Sequence, residues 1–193
     1  MTPHLIKVLL VVVAGLHSPP PDYSVQVFKD ALRRVRHETA ARPVIRKVLY
    51  MRDVAPGYAE LDKAAARATF WKNLLSRNGG SFRSGITFFL LPPAHEASDL
   101  NVYYLTGAAL AGCHPRGGYA YSTPMVTSRQ GFDRYPHSVV ATMHELLHLL
   151  GARHVLSPIS VMHPDALSYV GNASLPILRR TQRQVKFCLE KVR

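Results

Sequence analysis

The segment from residue 144 to residue 154 constrains this chain more than any other, because it places three histidines at fixed spacings. His144 and His148 are four residues apart, so on an α-helix they lie about 40° apart around the axis and can reach one ion. Gly151 permits a sharp exit from that helix, since glycine adopts backbone angles that other residues resist. The exit brings His154 round as a third nitrogen donor. The segment therefore predicts a helix, a tight turn and a three-histidine metal site.

Glu145 follows the first of these histidines directly, where its carboxylate can face a water molecule bound to the ion. Zinc prefers a tetrahedral set of ligands, and three histidines leave its fourth position open. An open position is typical of catalytic zinc sites, whereas structural sites are closed. His144, His148 and His154 are therefore predicted to bind one catalytic Zn2+. Glu145 is predicted to act as the general base, taking a proton from the zinc-bound water as that water attacks a carbonyl.

The whole motif resembles the signature of the metzincin clan of zinc metallopeptidases, His-Glu-x-x-His-x-x-Gly-x-x-His followed by a methionine turn. Residues 160–164, Ser-Val-Met-His-Pro, are similar to that turn and place Met162 behind His154. In the clan this methionine forms an apolar floor beneath the zinc, which implies the same role for Met162. The resemblance implies a zinc-dependent endopeptidase that hydrolyses peptide bonds.

The family within the clan stays open on these residues. Pro164 makes the turn similar to that of the matrix metalloproteases, whereas astacins and serralysins carry a tyrosine at this position. Two aromatic segments, residues 100–104 and 117–121, look like strands that precede the zinc helix in pappalysin-type members. The specific likeness covers residues 137–165, and over the rest of the chain it is only topological.

The resemblance implies a zincin-like catalytic domain of the α/β (α+β) class, with helices packed on a mixed, mostly parallel twisted sheet. The length of 193 residues and the apolar fraction of 47% are ordinary for one globular domain. The zinc cleft is expected to divide residues 1–193 into an upper subdomain, about 1–151, and a short lower subdomain, about 152–193. No apolar run reaches the roughly 18 residues that a membrane helix needs.

The N-terminus allows two interpretations. The apolar run at residues 8–16 stands between Lys7 and a proline-rich turn, with Ala14 and Gly15 near a possible cleavage point, so residues 1–18 could be a signal peptide. The same run is rich in valine and could instead be a buried first strand, which we favour. Localisation therefore stays open, although the clan resemblance favours secretion.

The remaining elements follow from apolar periodicity. Two helices are predicted at residues 24–41 and 59–77. A third begins near Ser138 and carries the metal motif. A last helix follows Ser174, which is predicted as its N-cap, with Pro176 in its first turn. Strands are predicted at residues 44–54, 86–91, 100–104, 119–121 and 125–128.

The substrate cleft is the least determined part of the site. An edge strand can align a peptide by backbone pairing, and residues 117–121 are the candidate, with Gly118, Tyr119 and Ala120 facing the substrate. The pocket for the residue after the cut is expected to involve Leu147 and residues 163–169, including Pro164 and Tyr169.

Cys113 and Cys188 are the only cysteines. Either they pair, which would tie the last helix to the loop before residue 117, or both are free and buried. Because the clan is commonly secreted and a disulfide persists in oxidising compartments, the resemblance favours pairing.

The net charge of +12 comes largely from three basic groups, which predict attraction to acidic partners. They are Arg33, Arg34 and Arg36; Arg42, Arg46 and Lys47; and Arg179, Arg180, Arg183 and Lys186. No nucleic-acid-binding motif accompanies them. Two functions therefore remain: an endopeptidase acting on protein or peptide substrates, with a monomer favoured, and a zinc-stabilised, catalytically weak binding protein for acidic partners. Glu145 favours the enzyme, because a structural metal site has no need of that carboxylate.

Overall fold

The computed structural model describes residues 4–15, 18–52, 64–77, 85–92, 107–108, 113, 118–124, 135–164 and 175–191. Within these residues the elements are β1 (His4–Ala14), α1 (Pro21–Glu38), β2 (Ala41–Arg52), α2 (Ala64–Arg77), β3 (Ile86–Leu90), β4 (Gly107–Ala108), β5 (Tyr119–Ser122), α3 (Tyr135–Leu149) and α4 (Arg179–Lys191). The predicted strands at residues 100–104 and 125–128 lie outside the described residues. None of the described helices is long and apolar enough to cross a membrane.

The strands form one sheet in the order β2-β1-β3-β5-β4. Four of them run parallel, and β4 pairs antiparallel with β5 at one edge. The N-terminal apolar run forms β1, which pairs with β2 on one side and with β3 on the other. Val8, Leu10 and Val11 are fully buried, as expected for a parallel strand covered on both faces. The predicted α/β class with a mostly parallel sheet is confirmed.

Alternate residues of the strands face two separate apolar cores, because successive side chains of a strand point to opposite faces. Val8 and Leu10 belong to the larger core, which includes the buried residues of α1 and α3. Val11 and Val13 belong to the smaller core, where they pack with Leu75 of α2. Helix α3, which carries the metal motif, therefore lies on the same face of the sheet as α1.

Helix α3 is buried along most of its length, and this burial fixes its rotation. An apolar stripe at helical spacing is buried throughout; its members are Val139, Met143, Leu146 and Leu150. The hydroxyl of Tyr135 donates a hydrogen bond to the carboxylate of Asp30, which ties the start of α3 to α1. Ser122 and Thr142 are hydrogen-bonded at 3.0 Å and join α3 to β5. The face of α3 opposite the sheet is thus the one that carries the motif's histidines.

Helix α4 begins at Arg179, later than the sequence predicts, and Pro176 lies outside it. The residues before α4 make tertiary hydrogen bonds instead of a helical turn. Val161 N donates to Pro176 O at 3.2 Å, and Ile177 N donates to a carboxylate oxygen of Glu38 at 2.9 Å. The segment at residues 175–178 is therefore held between α1 and the predicted methionine turn.

The structure corrects the predicted edge strand. Residues 119–122 form β5, which lies between β3 and β4 rather than at an edge. Ala120 and Tyr121 are paired with β3 on one side and with β4 on the other, so they are not open to pairing with a substrate strand. The edge beside β5 belongs to β4, a strand too short to show alternation in the sequence.

Substitution of Glu38 tests how much the contacts of residues 175–178 contribute to the free energy of unfolding. Its carboxylate accepts hydrogen bonds from Arg34, at 3.2 Å, and from Ile177 N, so we expect Glu38→Ala to lower the free energy of unfolding by about 1–3 kcal/mol. The control is Glu190→Ala, because the Lys186–Glu190 pair is exposed and long at 3.9 Å. Urea denaturation measures both. Equal effects of the two substitutions would contradict the assignment.

Candidate metal centre

The three predicted histidine ligands converge on one point. The Nε2 atoms of His144 and His148 are 3.0 Å apart, those of His144 and His154 are 3.2 Å apart, and those of His148 and His154 are 3.1 Å apart. Tetrahedral zinc with bonds of about 2.0–2.1 Å to nitrogen separates its ligand atoms by about 3.3–3.4 Å. The triangle of nitrogens is close to that size, so this group can bind one zinc ion.

The hydrogen bonds of two of these imidazoles fix which nitrogen faces the shared point. Nδ1 of His144 donates to Val161 O at 2.7 Å, and Nδ1 of His148 donates to Ala152 O at 2.9 Å. Because a carbonyl oxygen can only accept, the proton lies on Nδ1 and the Nε2 lone pair points inward. Lone pairs that meet at about 3 Å repel one another, and a bound cation removes that repulsion. The donor set therefore fits a metal ion.

Burial keeps the imidazoles of His144 and His148 neutral. It lowers the pKa of His144 from 6.5 to about 4, partly opposed by the hydrogen bond to Val161, and the nearby His148 and His154 lower it further. Burial likewise lowers the pKa of His148, against the effect of its hydrogen bond to Ala152. Neutral imidazole is the form that binds zinc, so these two ligands are held in the binding-competent form near neutral pH.

The end of α3 is a Schellman turn, and it orients a ligand as well as stopping the helix. Gly151 N donates to His148 O at 3.0 Å, and Ala152 N donates to Leu147 O at 2.9 Å. Gly151 has φ of +87°, a conformation that other residues rarely adopt. Ala152 O, which this turn positions, accepts the hydrogen bond from the imidazole of His148. The glycine is thus required by the backbone of the metal site.

The predicted methionine turn lies against the same site. Met162 is fully buried, and its carbonyl oxygen accepts a hydrogen bond from Val155 N at 2.9 Å. Ser160 Oγ accepts from Met162 N at 3.1 Å and tightens the turn. The carbonyl of Val161 orients His144. The carbonyls of Ala152 and Val161 could not be predicted from the sequence, because a backbone acceptor leaves no signal in residue type.

Glu145 is only 5% exposed and lies on α3 between the first two histidines. Burial raises the pKa of the Tyr121 hydroxyl, and the negative charge of Glu145 raises it further. The two side chains therefore interact electrostatically. Tyr121 belongs to the segment 117–121 that the sequence predicts for substrate pairing, but no sequence signal relates it to Glu145.

The predicted cleft residues differ in burial where the structure describes them. Leu147 is fully buried in the larger core, and its place beside the substrate pocket stays a prediction. Gly118, Tyr119 and Ala120 are buried on or next to the interior strand β5. Pro164 is exposed after the turn, and Tyr169 lies outside the described residues.

Cys113 and Cys188 form a disulfide with their Cα atoms 5.3 Å apart. Cys113 also makes an isolated antiparallel bridge with Leu150, the residue before Gly151. The disulfide therefore joins α4 to the end of the metal-bearing helix. Within the described residues, His137 and His163 are not part of the three-histidine cluster.

The chain matches no protein-family model and no curated protein. Its structure is similar to three solved structures of zinc peptidases. Archaemetzincin from Methanopyrus kandleri is 20% identical with a TM-score of 0.61, and 96% of each chain is covered. Metalloproteinase-II from Bacteroides fragilis is 15% identical with a TM-score of 0.58, covering 97% of this chain and 54% of the other.

The third structure is a zinc-dependent peptidase from Methanocorpusculum labreanum, 12% identical with a TM-score of 0.59, covering 92% of this chain and 99% of the other. At these identities the likeness establishes the fold. The chain therefore has the fold of these zinc metallopeptidases, and within it three histidines form a group that can bind one zinc ion.

The buried histidines predict how stability depends on pH in protein stripped of metal. Unfolded His144 binds a proton near pH 6.5, whereas folded His144 does so near pH 4, so folding is opposed as pH falls through this window. We expect the free energy of unfolding to decrease from pH 6.5 to pH 4 by on the order of 3 kcal/mol from this residue.

Guanidinium denaturation of chelator-treated protein across this pH range measures the effect. The control is His37→Gln, which removes an exposed histidine on α1 and should leave the slope unchanged. Stability that does not fall between pH 6.5 and pH 4 would show that His144 is not held neutral by burial.

Proposed function

We propose that this chain is a zinc-dependent endopeptidase of the metzincin clan. The observation that carries the proposal is the meeting of three Nε2 atoms within 3.0–3.2 Å of one another, beside the buried carboxylate of Glu145. His144, His148 and His154 are the ligands of one Zn2+. The fold supports the proposal, because the three similar solved structures are zinc peptidases.

Glu145 carries the proton transfers of the reaction. Zinc, when bound, polarises the scissile carbonyl and lowers the pKa of a water molecule. The Glu145 carboxylate accepts a proton from the attacking water and delivers it to the departing amine. Its burial excludes bulk water and so strengthens its electrostatic effect on that proton. The charge of Glu145 acts on the hydroxyl of Tyr121, whose pKa it raises.

Two backbone carbonyls position the ligands for this chemistry. Val161 O holds His144 and Ala152 O holds His148, each by its Nδ1–H. Such second partners fix the ring orientation and raise the basicity of the ligating nitrogen. Both carbonyls belong to tight turns, so the geometry of the metal site depends on the turns more than on side-chain packing.

The clan assignment rests on two further residues. Gly151 makes the turn between the second and third histidines, and Met162 lies buried in the turn that supplies Val161 O. We assign Met162 as the apolar floor of the zinc site. Residues 1–151 then form the upper subdomain and residues 152–193 the lower one. Matrixin-type and pappalysin-type relationships remain the candidates for the family.

Protein or peptide chains are the proposed substrates, and β4 is the proposed strand for pairing with them. It lies at the edge of the sheet beside β5, whose own pairing is complete at Ala120 and Tyr121. A peptide added to an edge strand gains backbone hydrogen bonds without requiring a particular sequence. This assignment replaces the predicted pairing by residues 117–121.

Acidic segments of a substrate have a complementary surface on α4. Arg179, Arg183 and Lys186 line a groove together with His37 of α1. Glu38 is the carboxylate among the described residues that line the groove; it pairs with Arg34 and accepts a hydrogen bond from Ile177 N. Within the described residues, no carboxylate pairs with Arg179 or Arg183. The groove is therefore strongly positive and attracts acidic chains.

This groove can be tested with charge-matched variants. We expect Arg183→Glu to lower kcat/KM for an acidic peptide about three- to tenfold at low salt and to leave a neutral peptide within about twofold. The control is Arg33→Glu, an equal charge change at an exposed residue that pairs with Asp30. Equal losses with both variants would show a general charge effect instead of a binding groove.

The groove also supports a second function, a zinc-stabilised and catalytically weak binding protein for acidic partners. The two functions differ in what they require of Glu145. A binding protein needs the histidines but not the neighbouring carboxylate, whereas hydrolysis needs both.

The Glu145→Gln variant separates these functions. We expect bound zinc to stay at one ion per chain and cleavage of an unfolded protein to fall at least about 100-fold, because the amide cannot take a proton. Metal content and proteolysis are measured on the same sample. The control is Glu190→Gln on the exposed face of α4, which should leave both unchanged. A wild-type protein that binds zinc but cleaves no member of a broad peptide library would favour the binding protein.

A further inference from the structure

We propose that the Cys113–Cys188 disulfide is a positioning element of the metal site, holding α4 against the Gly151 turn and thereby placing His154. The inference rests on the zinc site of the proposed function and adds a covalent support to it. The disulfide links residues 75 apart in sequence, one bridged to the end of α3 and the other buried in α4.

The disulfide packs directly on Gly151. A Cβ atom added to this glycine would lie 2.8 Å from Cys188 Cβ, 3.3 Å from Cys188 Sγ and 3.7 Å from Cys113 Cβ. The bare Cα of Gly151 therefore faces both halves of the bridge. Glycine is required here twice, once for its φ of +87° and once for lack of space.

A second contact from α4 reaches the same turn. Arg153 N donates to Gln184 Oε1 at 3.1 Å. Gln184 and Cys188 are four residues apart, so they lie on one face of α4. This face contacts the chain at Gly151 and again at Arg153, which are the residues between the second and third metal ligands. The face of α4 and the disulfide together form the clamp of the turn.

His154 depends on this clamp more than the other two ligands do. His144 and His148 lie on a buried helix, and each has a carbonyl partner for Nδ1. His154 is exposed, and across the described residues its ring nitrogens meet only the other two imidazoles. Its place is therefore set by the backbone of residues 150–153, which the clamp holds.

Loss of the disulfide should consequently weaken zinc binding in protein that is still folded. The test uses the full chain with Cys113→Ala and Cys188→Ala together, at a temperature where circular dichroism shows a native fold. We expect the zinc dissociation constant, measured by chelator competition, to rise at least about tenfold. In the metal-free protein, we expect faster amide exchange at residues 151–154. Both readouts are independent of peptidase activity.

Reduction provides a matched control for the substitutions. A phosphine reductant converts the S–S bond into two thiols and takes up the oxygen of one water molecule as its oxide. We expect it to weaken zinc binding by the wild-type protein to the level of the double variant. The double variant has no disulfide, so its zinc affinity should not respond to the reductant.

Substitutions at Gln184 keep the inference testable if the double variant does not fold. Gln184→Ala retains the disulfide and removes the hydrogen bond to Arg153 N, so we expect zinc binding about threefold weaker or more. Gln182→Ala is the control, because its side chain bonds Ile177 O and does not contact the turn.

The outcomes separate the inference from the proposed function. A lower melting temperature with zinc affinity unchanged within about twofold, in folded protein, would assign the disulfide a purely structural role and overturn the inference. Oxidised wild-type protein that fails to bind one zinc ion would overturn the proposed function and the inference together.

Discussion

The reversal of the chain at Gly151 is the constraint on which the metal site depends. Two histidines can be placed by one helix, but the third must return toward them within six residues of His148. The Schellman hydrogen bonds make that return, and the same turn aims Ala152 O at the imidazole of His148. The same turn therefore ends the helix, orients the imidazole of His148 and places His154. Any residue with a Cβ at this position would disturb all three.

The rest of the structure holds this turn from several sides. The parallel sheet buries α3, so that His144 and His148 project from a rigid support. The turn at Met162 contributes the carbonyl of Val161, and α4 contacts the reversal from outside through Cys188 and Gln184. These supports come from parts of the chain that lie far apart in sequence. The geometry of the nitrogens is thus a property of the whole fold.

Sequence reasoning succeeded where local rules decide the outcome. The spacing of the histidines requires a helix and then a turn, and nearly continuous apolar runs predict the buried strands β1 and β3. It failed for residues 117–121, because strand order depends on non-local pairing with the two-residue strand β4. The late start of α4 has the same origin, since residues 175–178 bond to α1 and to the Met162 turn.

By itself the sequence determined the kinds of donor atom, their spacing and the place of the turn, since helix geometry and glycine conformation act over a few residues. Only the tertiary structure decided which carbonyls hold the imidazoles, which strand lies at the edge and which helix closes over Gly151. These features join segments that are distant in sequence, and their register is set by burial and shape complementarity. A local sequence pattern does not specify such contacts, because they form only when the folded core brings these segments together.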